Sequence, residues 1–491
     1  MKLPILIVIA LCGLMCGAAQ AERPPNIVIL FADDLGYGDL SSYGHPYIRT
    51  PNLDQMAAEG QRWTDFYAPA PVCSPSRGAL LTGRLPVRTG LYGRRVAVLF
   101  PNDTVGMPAA EQTLAEGLQA AGYATAIIGK WHLGDAPATY PTRHGFDYWY
   151  GVPYSNDMDW TDEPDFEQVL AMQAAGKTAE LAAMSQRRMH KWLNPEVEYW
   201  SPPVLRSSRS GDGYHDEVVQ RPAQQTELTR NYTDEALRFI ERSKDRPFLL
   251  YLPYSMPHTP IFRSQAFVDK SLAGRYGDVI EELDWSVGAI MQKLQSLSLA
   301  DNTLVVFTSD NGPWLLMQTH GGSAGHFSNG KATTFEGGMR VPGIFWWPGT
   351  IKPALISGIG SAMDLYNTAL ALAGEDNATG VDGYDLSETL KNGTPSPRDT
   401  LTYYRGDELR AFRQGRYKLS FVSEGAYGLP PQREEHSEPL LYDLHADPEE
   451  RYNIAARYPE VVARMLKAVE QHKAELDIKP PLFDARLSRL E

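Results

Sequence analysis

The sequence predicts an α/β fold: a mostly parallel central sheet flanked by helices, then a smaller C-terminal subdomain of antiparallel sheet plus helix. Three observations carry this. Several apolar, β-branched runs are continuous rather than alternating, which suits strands buried on both faces of a parallel sheet. Segments of helical periodicity lie between them. Beyond residue 390 the pattern changes to short strands joined by tight turns.

In the sequence of 491 residues Lys2 precedes an apolar stretch ending in Ala19-Gln20-Ala21. This has the form of an export signal cleaved after Ala21, and the run is too short to read as a membrane span. A lipoprotein anchor on Cys12 or Cys16 is the competing reading, disfavoured because neither has Leu three places before it. Cleavage leaves Cys73 as the only cysteine of an exported, periplasmic or secreted protein, with no partner for an internal disulfide. With 46 basic against 60 acidic residues the formal charge is −14, which disfavours nucleic acid and acidic membranes as partners. A small anionic substrate stays open, because a local basic cluster can override the global sign.

Four apolar runs end in polar residues: "NIVILFADD" in Asp33-Asp34, "YATAIIGKWHLG" in Lys130 and His132, "PFLLYLPYSMPH" in His258, and "TLVVFTSDNG" in Asp310-Asn311. In open α/β sheets ligands bind beyond the carboxyl ends of the strands, so these clusters are expected to converge. Between the runs, Leu114, Leu118 and Ala121 share a helical face ending at Gly122. Val279, Ile280, Leu283, Val287, Ile290, Met291 and Leu294 define a longer helix. Residues 155–225 show no clear periodicity and read as an irregular, variable insertion near the substrate pocket. Its Trp160, Trp192, Tyr199 and Trp200 suit either an aromatic wall for a sugar ring or ordinary packing. The polar stretch "KNGTPSPRD" marks a boundary, giving a catalytic domain over 22–390 and a C-terminal subdomain over 391–491. In the latter, "ELRAFRQGRYKLSF" reads as a hairpin around Gln414-Gly415 and "YPEVVARMLKAVEQHKAEL" as the closing helix.

Asp33, Asp34, Asp310 and Asn311 offer only oxygen ligands, which suits a hard cation; Ca²⁺ tolerates irregular carboxylate geometry better than Mg²⁺ and is preferred. Arg77, Lys130, His132, His258 and Lys331 would together present donors to an anion with several oxygens, and proton donors and acceptors. Cys73 precedes "SRGALL", a helix start that stabilises negative charge, and its polar, proline-bounded setting argues against a core position. A thiolate and a hard metal are poorly matched, so the metal set calls for an oxygen nucleophile.

"CSPSRGALLTGR" resembles the signature of the type I, formylglycine-dependent sulfatases, C-x-P-S-R followed by L-T-G. "FADDLGYGD", "GKWHLG", "FTSDNG", "GKATTFEGGMRVP" and "LYDLHADPEE" match further blocks of that family in order, from about Asn26 to the closing helix. The resemblance is strongest to its arylsulfatase and N-acetylgalactosamine-6-sulfatase branches. It implies an alkaline-phosphatase-like sheet and conversion of Cys73 to formylglycine by a formylglycine-generating or anaerobic maturase. It further implies one Ca²⁺ held by Asp33, Asp34, Asp310, Asn311 and the modified Cys73. Arg77 would stabilise the hydrated aldehyde, and Lys130, His258 and Lys331 would hold the sulfate. His132 would orient the diol and act as base, His258 or Lys331 would protonate the leaving alcohol, and Ser155 matches a sulfate-proximal serine. The implied substrate is a sulfated saccharide or an aryl sulfate. Phosphonate or phosphate ester hydrolysis, and sulfated-glycan binding without turnover, are the competing readings.

Overall fold

The four apolar runs form the middle of one sheet. The computed structural model describes residues 23–211 and 213–489, so the expected leader over residues 1–21 lies outside the described residues. The large sheet contains β1 (Asn26–Ala32), β2 (Gln61–Tyr67), β3 (Ala124–Ile128), β4 (Tyr148–Gly151), β5 (Val204–Ser210), β6 (Gly213–Gln220), β7 (Phe248–Pro253), β8 (Thr303–Ser309), β9 (Arg340–Trp346) and β10 (Ala354–Ser361). Their spatial order is β10-β2-β9-β8-β1-β7-β3-β4-β5-β6. β8, β1, β7 and β3 are adjacent and mutually parallel, and every residue in them is buried. Only β5 and β9 run against the other strands.

Side chains alternate across β1 into two cores. Ile27, Ile29 and Phe31 pack with Leu114 and Leu118 of the helix Leu114–Ala120 and with Leu80 and Leu81 of the helix Cys73–Thr82. Val28, Leu30 and Ala32 face the helices Leu228–Ser243 and Gly274–Ser296. All seven apolar positions expected on one face of Gly274–Ser296 are buried there, each worth roughly 1.5–3 kcal/mol relative to exposure.

Residues 155–225 are not irregular. They hold the helices Phe166–Ala174 and Thr178–Leu193 and the hairpin β5–β6, which extends the large sheet at its edge. The helix Thr178–Leu193 buries only Met184, and β6 is exposed along most of its length. Neither element therefore carries the apolar periodicity by which helices and strands are recognised in sequence.

The C-terminal sheet is antiparallel throughout, in the order β11 (Thr400–Arg405), β12 (Glu408–Gln414), β13 (Tyr417–Ser423), β14 (Glu434–Asp443). The helix Pro459–Glu475 lays Val461, Met465 and Val469 on Phe412, Leu419 and Leu441. A buried ionic cluster joins the two sheets. Arg413 of β12 reaches Asp65 of β2 at 2.5 Å, and Asp65 also holds Arg340 of β9 at 2.7 Å. Lys418 of β13 lies 3.0 Å from Glu336 and 2.8 Å from Glu450. The hydroxyls of Tyr67 and Tyr403 donate to Glu336 at 2.6 and 2.8 Å. Burying so many charges is tolerable because each finds an opposite charge or a hydrogen bond.

Candidate active site

Each expected cluster sits just past the carboxyl end of its strand: Asp33 and Asp34 after β1, Lys130 and His132 after β3, His258 after β7, Asp310 and Asn311 after β8. Cys73 is the first residue of the helix Cys73–Thr82, which follows β2, and Lys331 lies in the loop between β8 and β9. Local backbone geometry is committed to this arrangement. Asp34 and His132 adopt left-handed conformations with φ of 66° and 59°, unfavourable for residues with a Cβ and characteristic of over-determined sites. Gly129, at φ 133°, brings its backbone so close to β7 that a Cβ would meet the Pro253 carbonyl oxygen at 1.9 Å. The next amide, Lys130 N–H, donates to that same oxygen at 2.8 Å, which fixes the start of the Lys130–His132 segment.

All ten residues expected in the metal and anion set meet. Arg77, fully buried, donates to Asp310 Oδ2 from Nε at 3.0 Å and Nη2 at 2.8 Å, and from Nη1 to the Lys130 carbonyl at 2.9 Å. Lys130 Nζ lies 2.5 Å from Asp33 Oδ2, and Lys331 Nζ 2.7 Å from Asp34 Oδ1. Asn311 Nδ2 donates to Asp34 Oδ1 at 2.7 Å. His258 Nε2 is 3.5 Å from Asp34 Oδ2, and Cys73 Sγ is 3.5 Å from Asp33 Oδ1. Ser155, also buried, places Oγ 3.3 to 3.4 Å from the ring nitrogens of His258, so it meets the site through that histidine.

Cys73 itself is 1% exposed, which corrects the expectation of a position outside the core. The whole helix Cys73–Thr82 is buried, but the thiol's surroundings are charged rather than apolar. Burial pushes the thiol well above its ordinary range, outweighing Lys130 and Lys331. As an unmodified thiol the residue is a poor nucleophile here.

The oxygen set fits a cation. Burial would raise Asp33, but Lys130 and Arg77 hold it well below the usual carboxylate range. Asp34 is raised by burial against Lys331, and Asp310 is pushed to about 7 by burial and by Asp33, in spite of Arg77. Arg77 is raised although burial opposes it, because Asp310 and Asp33 face it. The two partners of that ion pair thus shift in the same direction: Arg77 answers to two carboxylates, whereas Asp310 answers to crowding by two others. Asn311 Oδ1 is buried with no donor among the described residues. Crowded carboxylates beside an acceptor-only oxygen form the ligand chemistry of a hard cation. Among the described residues Asp33, Asp34, Cys73 and His258 form a potential ligand group, with one atom of each within 4.8 Å of the others. Asp310 is not in that group: its Oδ2 accepts from Arg77 and its Oδ1 from the Asp34 amide.

The two histidines differ. Nε2 of His132 faces the Leu99 carbonyl at 2.9 Å, while its Nδ1 is buried with no partner among the described residues. Burial, with Lys130 and Arg77, holds it well below the usual histidine range, so the ring is neutral with a free lone pair on Nδ1. Nδ1 of His258 faces the Thr259 carbonyl at 2.6 Å, and burial with Lys331 pushes this ring down to about 3.

Cys73, His132, His258 and Lys331 line a cavity of about 390 Å³, and Lys130, Arg77 and the carboxylates lie beneath them. Its outer wall contains Trp160, Trp192, Trp314 and Tyr427, together with Asp157 and Arg188. Of the aromatic residues singled out in the sequence, Trp160 and Trp192 are on this wall, whereas Trp200 is fully buried in the core. Sequence reasoning missed Trp314, Tyr427, Asp157 and Arg188; the one cue was the "SDNGPW" run, which places Trp314 three residues beyond Asn311. A larger adjoining cavity of about 570 Å³ contains arginines already paired with Asp407, Glu408 and Glu424, and holds no candidate nucleophile.

Comparison with known proteins agrees with this geometry. Residues 25–375 match the Sulfatase family, and residues 396–488 match the C-terminal region of aryl-sulfatase. The chain is 39% identical to N-acetylgalactosamine-6-sulfatase of Homo sapiens, covering 94% of this chain and 88% of that protein. It is 41% identical to arylsulfatase A of Bos taurus, covering 97% and 91%. Among solved structures, the PsFucS1 sulfatase from Pseudoalteromonas sp. superposes with a TM-score of 0.78 at 30% identity, covering 93% and 92% of the two chains. The likeness spans both sheets and every strand end that carries the cluster, and the chain belongs to the sulfatase family of sulfuric ester hydrolases.

Proposed function

We propose that this sulfatase removes sulfate from a saccharide of galactose or N-acetylgalactosamine type, as found in glycosaminoglycans and algal galactans. The observation that carries the reading is the placement of Cys73, His132, His258 and Lys331 on the floor of a cavity with an aromatic outer wall. Aromatic faces suit the apolar face of a sugar ring. The relationship to N-acetylgalactosamine-6-sulfatase supports the galactose-type sugar.

The family works with a formylglycine and a metal. Converted to formylglycine, Cys73 supplies a hydrated aldehyde whose one hydroxyl is the nucleophile and whose other allows the sulfate to be released. Asp33, Asp34, Asp310, Asn311 and the modified Cys73 would hold Ca²⁺, which supplies positive charge beside the sulfuryl oxygens. Lys331 and Lys130 each spend one N–H on an aspartate and keep further donors for the anion. His258 borders the same space. Arg77, anchored by Asp310 and Asp33, lies near enough to residue 73 for its charge to act there at longer range. The unpartnered Nδ1 of His132 is suited to accept a proton from the diol. Lys331 gives a proton to the departing alcohol, or His258 does so once bound sulfate offsets the burial and the Lys331 charge that hold its ring at about 3. Ser155 positions the His258 ring.

Export to a periplasm or the medium is part of this reading, supported by the pattern of residues 1–21 and by the retention of one cysteine, the modified one. No helix among the described residues is long and apolar enough to cross a membrane. The test measures inorganic sulfate released from 6-sulfated galactosides and from aryl sulfates, alongside hydrolysis of aryl phosphonates. Preferred turnover of the sulfated sugar is expected. Faster hydrolysis of phosphonates, or binding of sulfated glycans with no sulfate release, would overturn the reading.

A further inference from the structure

Arg188 belongs to the helix Thr178–Leu193 and lines the same cavity as Cys73. Its neighbours on that helix are neutralised: Arg187 pairs with Glu163 at 2.9 Å, and Lys191 with Asp162 at 2.6 Å and Glu163 at 3.0 Å. Arg188 forms no ion pair with a carboxylate among the described residues, although Glu163, Asp157 and Asp165 act on it at longer range. Its Nη2 donates to the Pro164 carbonyl, and its Nε is buried without a partner. The guanidinium lies 5.1 Å from the Trp160 ring centroid, an arrangement that holds it in place without cancelling its charge. Arg188 is half-buried, and the planar fork of an arginine matches a carboxylate or a sulfate with two parallel hydrogen bonds. In the same cavity Asp157 is 8% exposed and its Oδ1 has no donor among the described residues, which leaves an acceptor for a sugar hydroxyl. In the adjoining cavity Arg94, Arg405, Arg410 and Arg433 have carboxylate partners, whereas the exposed Arg95, which borders both cavities, forms no ion pair among the described residues.

We propose that Arg188 is a specificity-determining residue that receives a second anionic group of the substrate, a carboxylate or sulfate on the sugar next to the one that is desulfated. This rests on the saccharide reading above and narrows it to polyanionic glycans.

The test compares three probes. One is a disaccharide of hexuronic acid and 6-sulfated N-acetylgalactosamine; the second is the same disaccharide with its carboxyl reduced to the alcohol; the third is a galactose disaccharide with one sulfate on each ring. Wild-type kcat/KM is expected to be about tenfold or more higher for a doubly anionic probe than for the reduced one, the scale of one charge-assisted hydrogen-bonded pair. Preference for the first or the third probe identifies the group as carboxylate or sulfate. Arg188→Gln is expected to remove that preference, and Arg188→Lys to restore part of it. Arg95→Gln is the control, because Arg95 is exposed on the rim of the same cavity. Equal losses in the two glutamine variants would show general charge attraction, and would overturn the proposal. So would a wild type indifferent to the second charge while still releasing sulfate. Calorimetric binding of the same probes to Cys73→Ala separates this from failure of the sulfatase reading: Arg188-dependent binding without any turnover by the matured enzyme would support the anion subsite and sink the hydrolytic role.

Discussion

Glu336 offers the sharpest test of how the C-terminal sheet is held. It is fully buried and accepts from Tyr67, Tyr403 and Lys418 at 2.6, 2.8 and 3.0 Å, with Arg340 at 3.4 Å. Burial alone would raise its pKa, but Lys418, Arg340 and Arg413 overcome it and bring the group from the ordinary 4.5 to about 2. At ~1.4 kcal/mol per pH unit, ionised Glu336 stabilises the fold by about 3 kcal/mol at pH 7. Because the folded value is depressed, this contribution is fully present above pH 4.5 and is lost as pH falls toward 2. Glu336→Gln keeps the shape and removes the charge, so it imitates the protonated acid. Lys418 keeps Glu450 at 2.8 Å and is not stranded. Urea unfolding at pH 7 is therefore expected to show a loss of about 3 kcal/mol, shrinking to less than half of that near pH 3. A variant as stable as wild type at pH 7, or a deficit that does not change with pH, would refute the reasoning.

Two further outcomes follow from the active site. If His258 delivers the proton to the leaving alcohol, His258→Gln should slow a sugar sulfate by roughly 10²–10⁴-fold and a nitrophenyl sulfate far less, because the phenolate leaves without help. Equal losses on both substrates would transfer the role to Lys331. Exhaustive dialysis against a calcium chelator should abolish sulfate release, and Ca²⁺ should restore it more fully than Mg²⁺; full activity after chelation would count against the metal assignment.

Much of this site is legible in the sequence because strand ends in a parallel sheet point one way. Asp33, Lys130, His258 and Asp310 are far apart in the chain, but each directly follows an apolar run, and β8, β1, β7 and β3 pack side by side. The outer wall is less legible. Trp192 and Arg188 come from a helix that buries one residue, and Trp314 and Tyr427 come from loops, so no periodicity marks them. The cluster around Glu336 was invisible for another reason. Asp65, Arg340, Arg413, Lys418 and Glu450 are ordinary charged residues until five separate segments bring them together. The burial of Cys73 was misread because its neighbours are polar, whereas the polar groups around it are themselves buried.

The central claim is that residue 73 acts as an aldehyde-derived oxygen nucleophile and not as a thiol. Mass spectrometry of the peptide spanning Pro71 to Arg84, from protein matured in a host with an active maturase, tests it directly. The account predicts a mass lowered by conversion of the thiol to an aldehyde, in proportion to the specific activity of each preparation. An intact thiol in a preparation that turns over sulfate esters at full rate would contradict it.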